Sequence, residues 1–106
     1  MKTGDLEPPW IVDISDTGTQ ANLNSVVSWR FVASVNGTVV FTDTAPTVTV
    51  DPVNTYKAAV KHTWSTGQTA IVGIYKAEIV AVWPSSREQT FPGLGTAVLT
   101  VETGID

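Results

Sequence analysis

The chain has 106 residues, of which 42% are hydrophobic and 15% charged, with a net charge of −4. That length and composition argue for one domain with a single real core and against disorder. The absence of cysteine removes disulfides and thiolate metal sites, and six scattered basic residues make phosphate neutralisation on a nucleic acid a poor reading.

The opening Met1-Lys2-Thr3-Gly4-Asp5 lacks the apolar region of a signal peptide, and no run has the length and apolarity of a membrane helix. The expectation is a soluble protein made in a cytoplasm, with neither a nucleic-acid nor a membrane partner. Residues 1–9 end in Pro8-Pro9 and read as an extended N-terminal arm, which leaves residues 10–106 as one domain. Trp10 to Ile14 is the first predicted strand, with Trp10, Val12 and Ile14 on one face. Ser15 to Asn24 is a loop of Asp, Thr, Gly and Asn.

Val26 to Val35 is a second strand whose core set is Val27, Trp29, Phe31 and Ala33. Asn36-Gly37 then signals a hairpin. A two-residue loop would set the core face of one strand against the mixed face of the next. A three-residue loop of Val35, Asn36 and Gly37 puts Phe31, Ala33, Val39 and Phe41 on one face. The three-residue loop is therefore predicted, with Gly37 left-handed in a bulge.

Thr47 to Asp51 alternates with Val48 and Val50 inward, and Asp51-Pro52-Val53-Asn54 is a turn. Tyr56 to Trp64 reads as a strand, with a helical turn over Tyr56 to Lys61 as the alternative. The Ser65-Thr66-Gly67-Gln68 loop follows. Gly73 to Trp83 is the longest strand. Tyr75, Ala77, Ile79, Ala81 and Trp83 form its core face, and its other face runs from Lys76 and Glu78 to apolar Val80 and Val82. Pro84 to Arg87 is a turn, Glu88 to Phe91 a short strand, and Pro92-Gly93-Leu94-Gly95 a turn. Thr96 to Glu102 is the last strand, with Ala97, Leu99 and Val101 inward. About seven or eight short strands at this spacing predict an all-β, immunoglobulin-like antiparallel β-sandwich. Gly73-x-Tyr75-x-Ala77 fits the tyrosine corner of such sandwiches, with Ala77 where antibody domains carry a cysteine.

No residue set forms a catalytic constellation, so the chain reads as a non-enzyme without metal or cofactor. His62, the single histidine, reads as a strand residue with no special role. Asp13, Asp16 and Asp43 read as solvated turn carboxylates rather than calcium ligands. Trp29 and Trp83 fall on core faces and read as packing. Trp10 follows a diproline and is expected to be partly exposed, either anchoring a partner or capping the end of the sandwich. Trp10 and Trp64 are the candidates for a sugar-binding groove. Val80 and Val82 on the wetter face suit a subunit contact.

Two stretches together resemble a known family. Lys2-Thr3-Gly4-Asp5 with Pro8-Pro9 opens the chain, and Gly73-Ile74-Tyr75-Lys76-Ala77-Glu78, Val82-Trp83-Pro84 and Thr90-Phe91-Pro92 follow in order. This ordered set resembles the small immunoglobulin-like structural domains of tailed bacteriophages, related to the N-terminal domain of phage baseplate upper proteins. The turn after Trp83-Pro84 usually carries Asp-Gly in that family, and Ser85-Ser86 stands here. The resemblance implies a virion structural protein made in the host bacterial cytoplasm. Its partners would be other virion proteins, such as major capsid or tail proteins, in many copies per particle, with self-association open beside them. A chain whose predicted strands run to Glu102 suits an accessory unit on the capsid, neck or tail. A baseplate or tail-tip component, or a carbohydrate- or host-surface-binding module, is the alternative. Pro8, Pro9, Trp10, Val80 and Val82 are the expected partner contacts, and the arm is expected to order on assembly.

Overall fold

Alternating apolar residues force each strand to bury one face, and the described chain satisfies that demand with two antiparallel sheets packed face to face. The computed structural model describes residues 1–92 and 97–102. The first sheet holds β1 (Trp10–Ser15), β4 (Thr47–Val50) and β5 (Lys57–His62) in the order β1-β5-β4. The second holds β2 (Ser28–Val35), β3 (Thr38–Asp43), β6 (Gly73–Trp83), β7 (Arg87–Pro92) and β8 (Val98–Val101). Its order is β3-β2-β6-β7, and β8 also pairs with β6.

β2 occupies one side of β6. On the other side β7 pairs with Glu78–Trp83 and β8 with Gly73–Lys76, so the two short strands follow one another along the same edge. These neighbours are those of the B-E-D and C′-C-F-G sheets of an immunoglobulin-like sandwich, with β6 as strand F. The predicted turn at residues 93–95 and Thr96 lie outside the described residues.

The core forms where the two inner faces meet. Trp10, Val12, Ile14, Ala58 and Val60 come from the first sheet, and Phe31, Ala33, Val35, Tyr75, Ala77, Ile79 and Ala81 from the second. Tyr56 ends a turn and Lys57 to His62 is extended rather than helical, because Ala58 and Val60 fill the core while Lys57 faces solvent.

Two expectations for β2 and β3 are corrected. Val27 lies outside the core at 68% exposure: the chain enters the sheet at Ser28, and Val35 at the far end is buried instead. The hairpin uses the two-residue loop, not the three-residue one. Val35 pairs with Thr38, and Asn36 and Gly37 both have positive φ (52° and 80°), the backbone of a type I′ turn. A bulge then does what the longer loop was expected to do. Ser34 pairs with Val39 but Ala33 with Phe41, so Val40 is the extra residue and Phe41 returns to the core face. Phe31 and Phe41 lie parallel there, 6.3 Å apart.

Candidate docking surface

Of the structural residues singled out from the sequence, Tyr75 and Ala77 stand at the start of β6, Trp29 and Trp83 lie at its far end, and Gly37 sits in the β2–β3 turn. The Tyr75 hydroxyl donates to the Ile71 carbonyl at 2.7 Å, with the ring fully buried. The acceptor is main chain, so the bond does not depend on the side chain at position 71. A Cβ on Gly73 would meet Val35 Cγ1 at 3.2 Å, which explains the glycine two residues before the tyrosine. Ala77 is buried one pleat further on. Trp29 and Trp83 are only half-buried: Trp29 packs on Phe91, and Trp83 donates its indole N–H to Gln89 Oε1 at 3.0 Å.

His62 is not an ordinary strand residue. It is buried to 2% exposure, with Nδ1 at 2.7 Å from Asp43 Oδ2 and Nε2 at 2.7 Å from Gln68 Oε1. The Ser65 N–H donates to the same Gln68 oxygen, which orients the amide with its oxygen toward the ring. The imidazole lies between Phe41 and Trp64, with centroids 4.5 and 5.2 Å away. Partners 19 positions before and 6 after His62 in sequence were beyond the reach of local spacing.

Trp10 and Trp64 are both buried, at 5% exposure, and stacked with centroids 5.7 Å apart. Trp10 also meets Phe31 edge-on at 5.1 Å. The expectation of a partly exposed Trp10 is corrected: its ring joins the two sheets, because period two carries Trp10 inward with Val12 and Ile14.

Of the three acidic residues weighed as calcium ligands, Asp13 is an exposed residue of strand β1 rather than of a turn, and Asp43 and Asp16 have defined partners. Asp43 accepts from the Ala45 N–H as well as facing His62. Asp16 is buried rather than solvated, accepting from the Thr19 hydroxyl at 2.8 Å and the Ala21 N–H at 3.1 Å. The Thr19 hydroxyl first, then the Ala21 N–H, hold its carboxyl below the usual aspartate range. Among the described residues, no three of His, Asp and Glu are grouped to hold a metal ion.

The N-terminal arm is docked on the sandwich instead of extending from it. Lys2 bridges to Glu102 in parallel, with the Thr3 N–H on the Glu102 carbonyl and the Glu102 N–H on the Met1 carbonyl, both at 2.8 Å. The Lys2 ammonium also reaches the Glu102 carboxylate at 3.0 Å. Thr69 donates its hydroxyl to the Asp5 carbonyl, and the Trp64 indole N–H donates to the Pro8 carbonyl. Pro8 remains exposed and Pro9 half-buried.

The candidate surface is the outer face of the second sheet. Along β6 it presents Ile74, Lys76, Glu78, Val80 and Val82. Val80 and Val82 are half-buried, for a reason the registers supply. Arg30 lies opposite Val80 on β2, and Glu88 opposite Val82 on β7. The two form an ion pair, which must cross the outer face of β6 to close. Ile74, Val98 on β8 diagonal to it, and Val39 on β3 are each more than half exposed. Ser34 links Val39 to Lys76, and Lys76 lies opposite Val98, so these residues form one band across the sheet. Neither Lys76 nor Glu78 has an ion-pair partner among the described residues. The exposed Val39 was assigned inward in the sequence because the bulge at Val40 was not foreseen; Ile74 and Val98 were legible as even positions of their strands.

Comparison with protein-family models, with curated proteins and with solved structures finds no match to this chain.

Proposed function

We propose that this chain is a non-enzymatic structural protein of a tailed-bacteriophage virion, an accessory immunoglobulin-like unit docked on the capsid, neck or tail in many copies. The observation that carries the docking role is the outer face of the second sheet, where Ile74, Val98 and Val39 stand exposed around Lys76 and Glu78. An apolar band of that kind suits a protein contact. The acidic net charge favours a protein over a nucleic acid as the partner. The phage context rests on the ordered motifs from Lys2-Thr3-Gly4-Asp5 to Thr90-Phe91-Pro92. Many copies on one particle would let each contact be weak, since linked contacts multiply.

A baseplate or tail-tip position is the second reading within the same class, and electron microscopy of labelled particles separates the two. The carbohydrate-binding reading has less support, because Trp10 and Trp64 pack against each other and against Phe31 and Phe41.

The test is re-binding. Purified protein is mixed with particles that lack it, beside an Ile74→Lys variant whose fold is checked by circular dichroism. Wild-type protein is expected to bind to saturation and the variant to lose most of its occupancy. Equal occupancy of the two removes this face from the docking surface, and no binding by either argues against the virion role.

A further inference from the structure

Four of the five outward residues of β6, Ile74, Lys76, Glu78 and Val80, read apolar, positive, negative, apolar, with Val82 beyond them. That order is self-complementary about Ala77. If a second copy lies face to face with its β6 antiparallel, the two-fold axis runs in the interface plane at the level of Ala77. Each position then faces the one equally far on the other side of residue 77. Lys76 meets Glu78 of the second copy, Glu78 meets its Lys76, and Ile74 meets its Val80. The alternative two-fold axis, along β6, sets Lys76 on Lys76 and Glu78 on Glu78 and is rejected by like-charge repulsion. Packed sheets lie about 10 Å apart, a gap that a lysine and a glutamate span together.

The neighbouring strands agree with the first arrangement. Ser34 is level with Lys76 and Val32 with Glu78, so β2 of one copy sets a small side chain against a larger one of its mate. Val39, beside Ser34, comes over Thr42, beside Val32. The Arg30–Glu88 pair stays internal to each copy and crosses β6 from beside Val80 to beside Val82, so it borders the Ile74–Val80 contact at the end of the interface. Lys76 and Glu78 are both exposed and lack an ion-pair partner among the described residues, so the second copy would supply what each chain leaves unpaired.

We propose that the outer face of β6 is the interface of a two-fold homodimer, held by two reciprocal Lys76–Glu78 pairs flanked by Ile74 on Val80. This rests on the reading of the same face as a protein contact and names a second copy as its occupant. Analytical ultracentrifugation over a concentration series tests it with the wild type, Lys76→Glu, Glu78→Lys and the double reversal. Thermal melts of each variant confirm that the fold is kept.

The wild type is expected to dimerise. Each single reversal creates two like-charge contacts by symmetry and should raise the dissociation constant by about tenfold or more, and the double reversal should restore it. A wild type that stays monomeric up to millimolar concentration overturns the proposal, as does a double reversal no better than its parents. If the protein is monomeric yet the single reversals lower its occupancy on particles, the face contacts a different virion protein: the dimer fails and the docking role stands. If it dimerises as described but never binds particles, the docking role fails and the dimer stands.

Discussion

Tyr75 is fully buried, and its hydroxyl donates to the Ile71 carbonyl on the loop that leads into β6. Tyr75→Phe removes that donor and leaves the carbonyl poorly solvated, an expected loss of about 1–3 kcal/mol. Denaturant melts should show a lower midpoint with an unchanged slope; coincident curves would mean the bond contributes nothing. His62 ties three segments at once, through Asp43 at the end of β3 and Gln68 in the loop before β6. His62→Phe keeps the ring packing but takes the imidazole nitrogens away from Asp43 Oδ2 and Gln68 Oε1, which keep only the Ala45 and Ser65 N–H bonds, and should cost about 1–3 kcal/mol. Asp16 adds a pH-dependent contribution. Its carboxyl is held below the ordinary aspartate value by Thr19 and Ala21, so the unfolded chain binds the proton more readily. The stabilisation is present at neutral pH and is lost as the pH falls below about 4. Asp16→Asn should therefore be less stable than wild type at neutral pH, with the difference shrinking in acid. A pH-independent difference would assign the effect to packing.

At the scale of the elements, two turns show what the sequence could and could not reveal. Asn36-Gly37 was legible as a hairpin, because the pair tolerates the positive φ of both central residues. Its loop length was not, because the argument assumed a regular strand after it. The bulge at Val40 satisfies the same demand, Phe41 on the core face, without a longer loop. The turn between β6 and β7 is the harder case. Ser85 and Ser86 both have positive φ, 68° and 60°, where Asp-Gly would sit more comfortably. Ser86→Gly should relieve part of that strain and raise stability by about 0.5–1 kcal/mol, read as a higher midpoint in thermal or chemical melts. A fall in stability would show that the serine side chain contributes more than its backbone costs. Apart from β3, whose bulge shifts its parity, the strands were readable because they alternate and a side chain's face follows from its parity. The partners of His62, and the stacking of Trp10 on Trp64, depend on segments far apart in sequence and needed the fold.

For the whole molecule, the described chain closes by joining its two ends of sequence: Lys2 and Thr3 lie along Glu102, and the Pro8 carbonyl accepts from Trp64. The diproline gave no sign of the arm's docking or of its turn at Thr3-Gly4, since an arm that pairs with a distant segment has no local signature. Deleting residues 1–8 should lower the unfolding midpoint rather than leave the sandwich untouched, because the Glu102 N–H, Trp64 Nε1 and Thr69 hydroxyl lose their acceptors. The arm is thus hydrogen-bonded to the body, and the outer face of β6 is the proposed surface for assembly. The proposed role as a virion component is open to mass spectrometry of purified particles, quantified against the major capsid protein. Peptides of this chain are expected at a fixed stoichiometry of many copies per particle, retained through density-gradient purification. Their absence from purified particles, with the protein abundant in the infected-cell lysate, would contradict it.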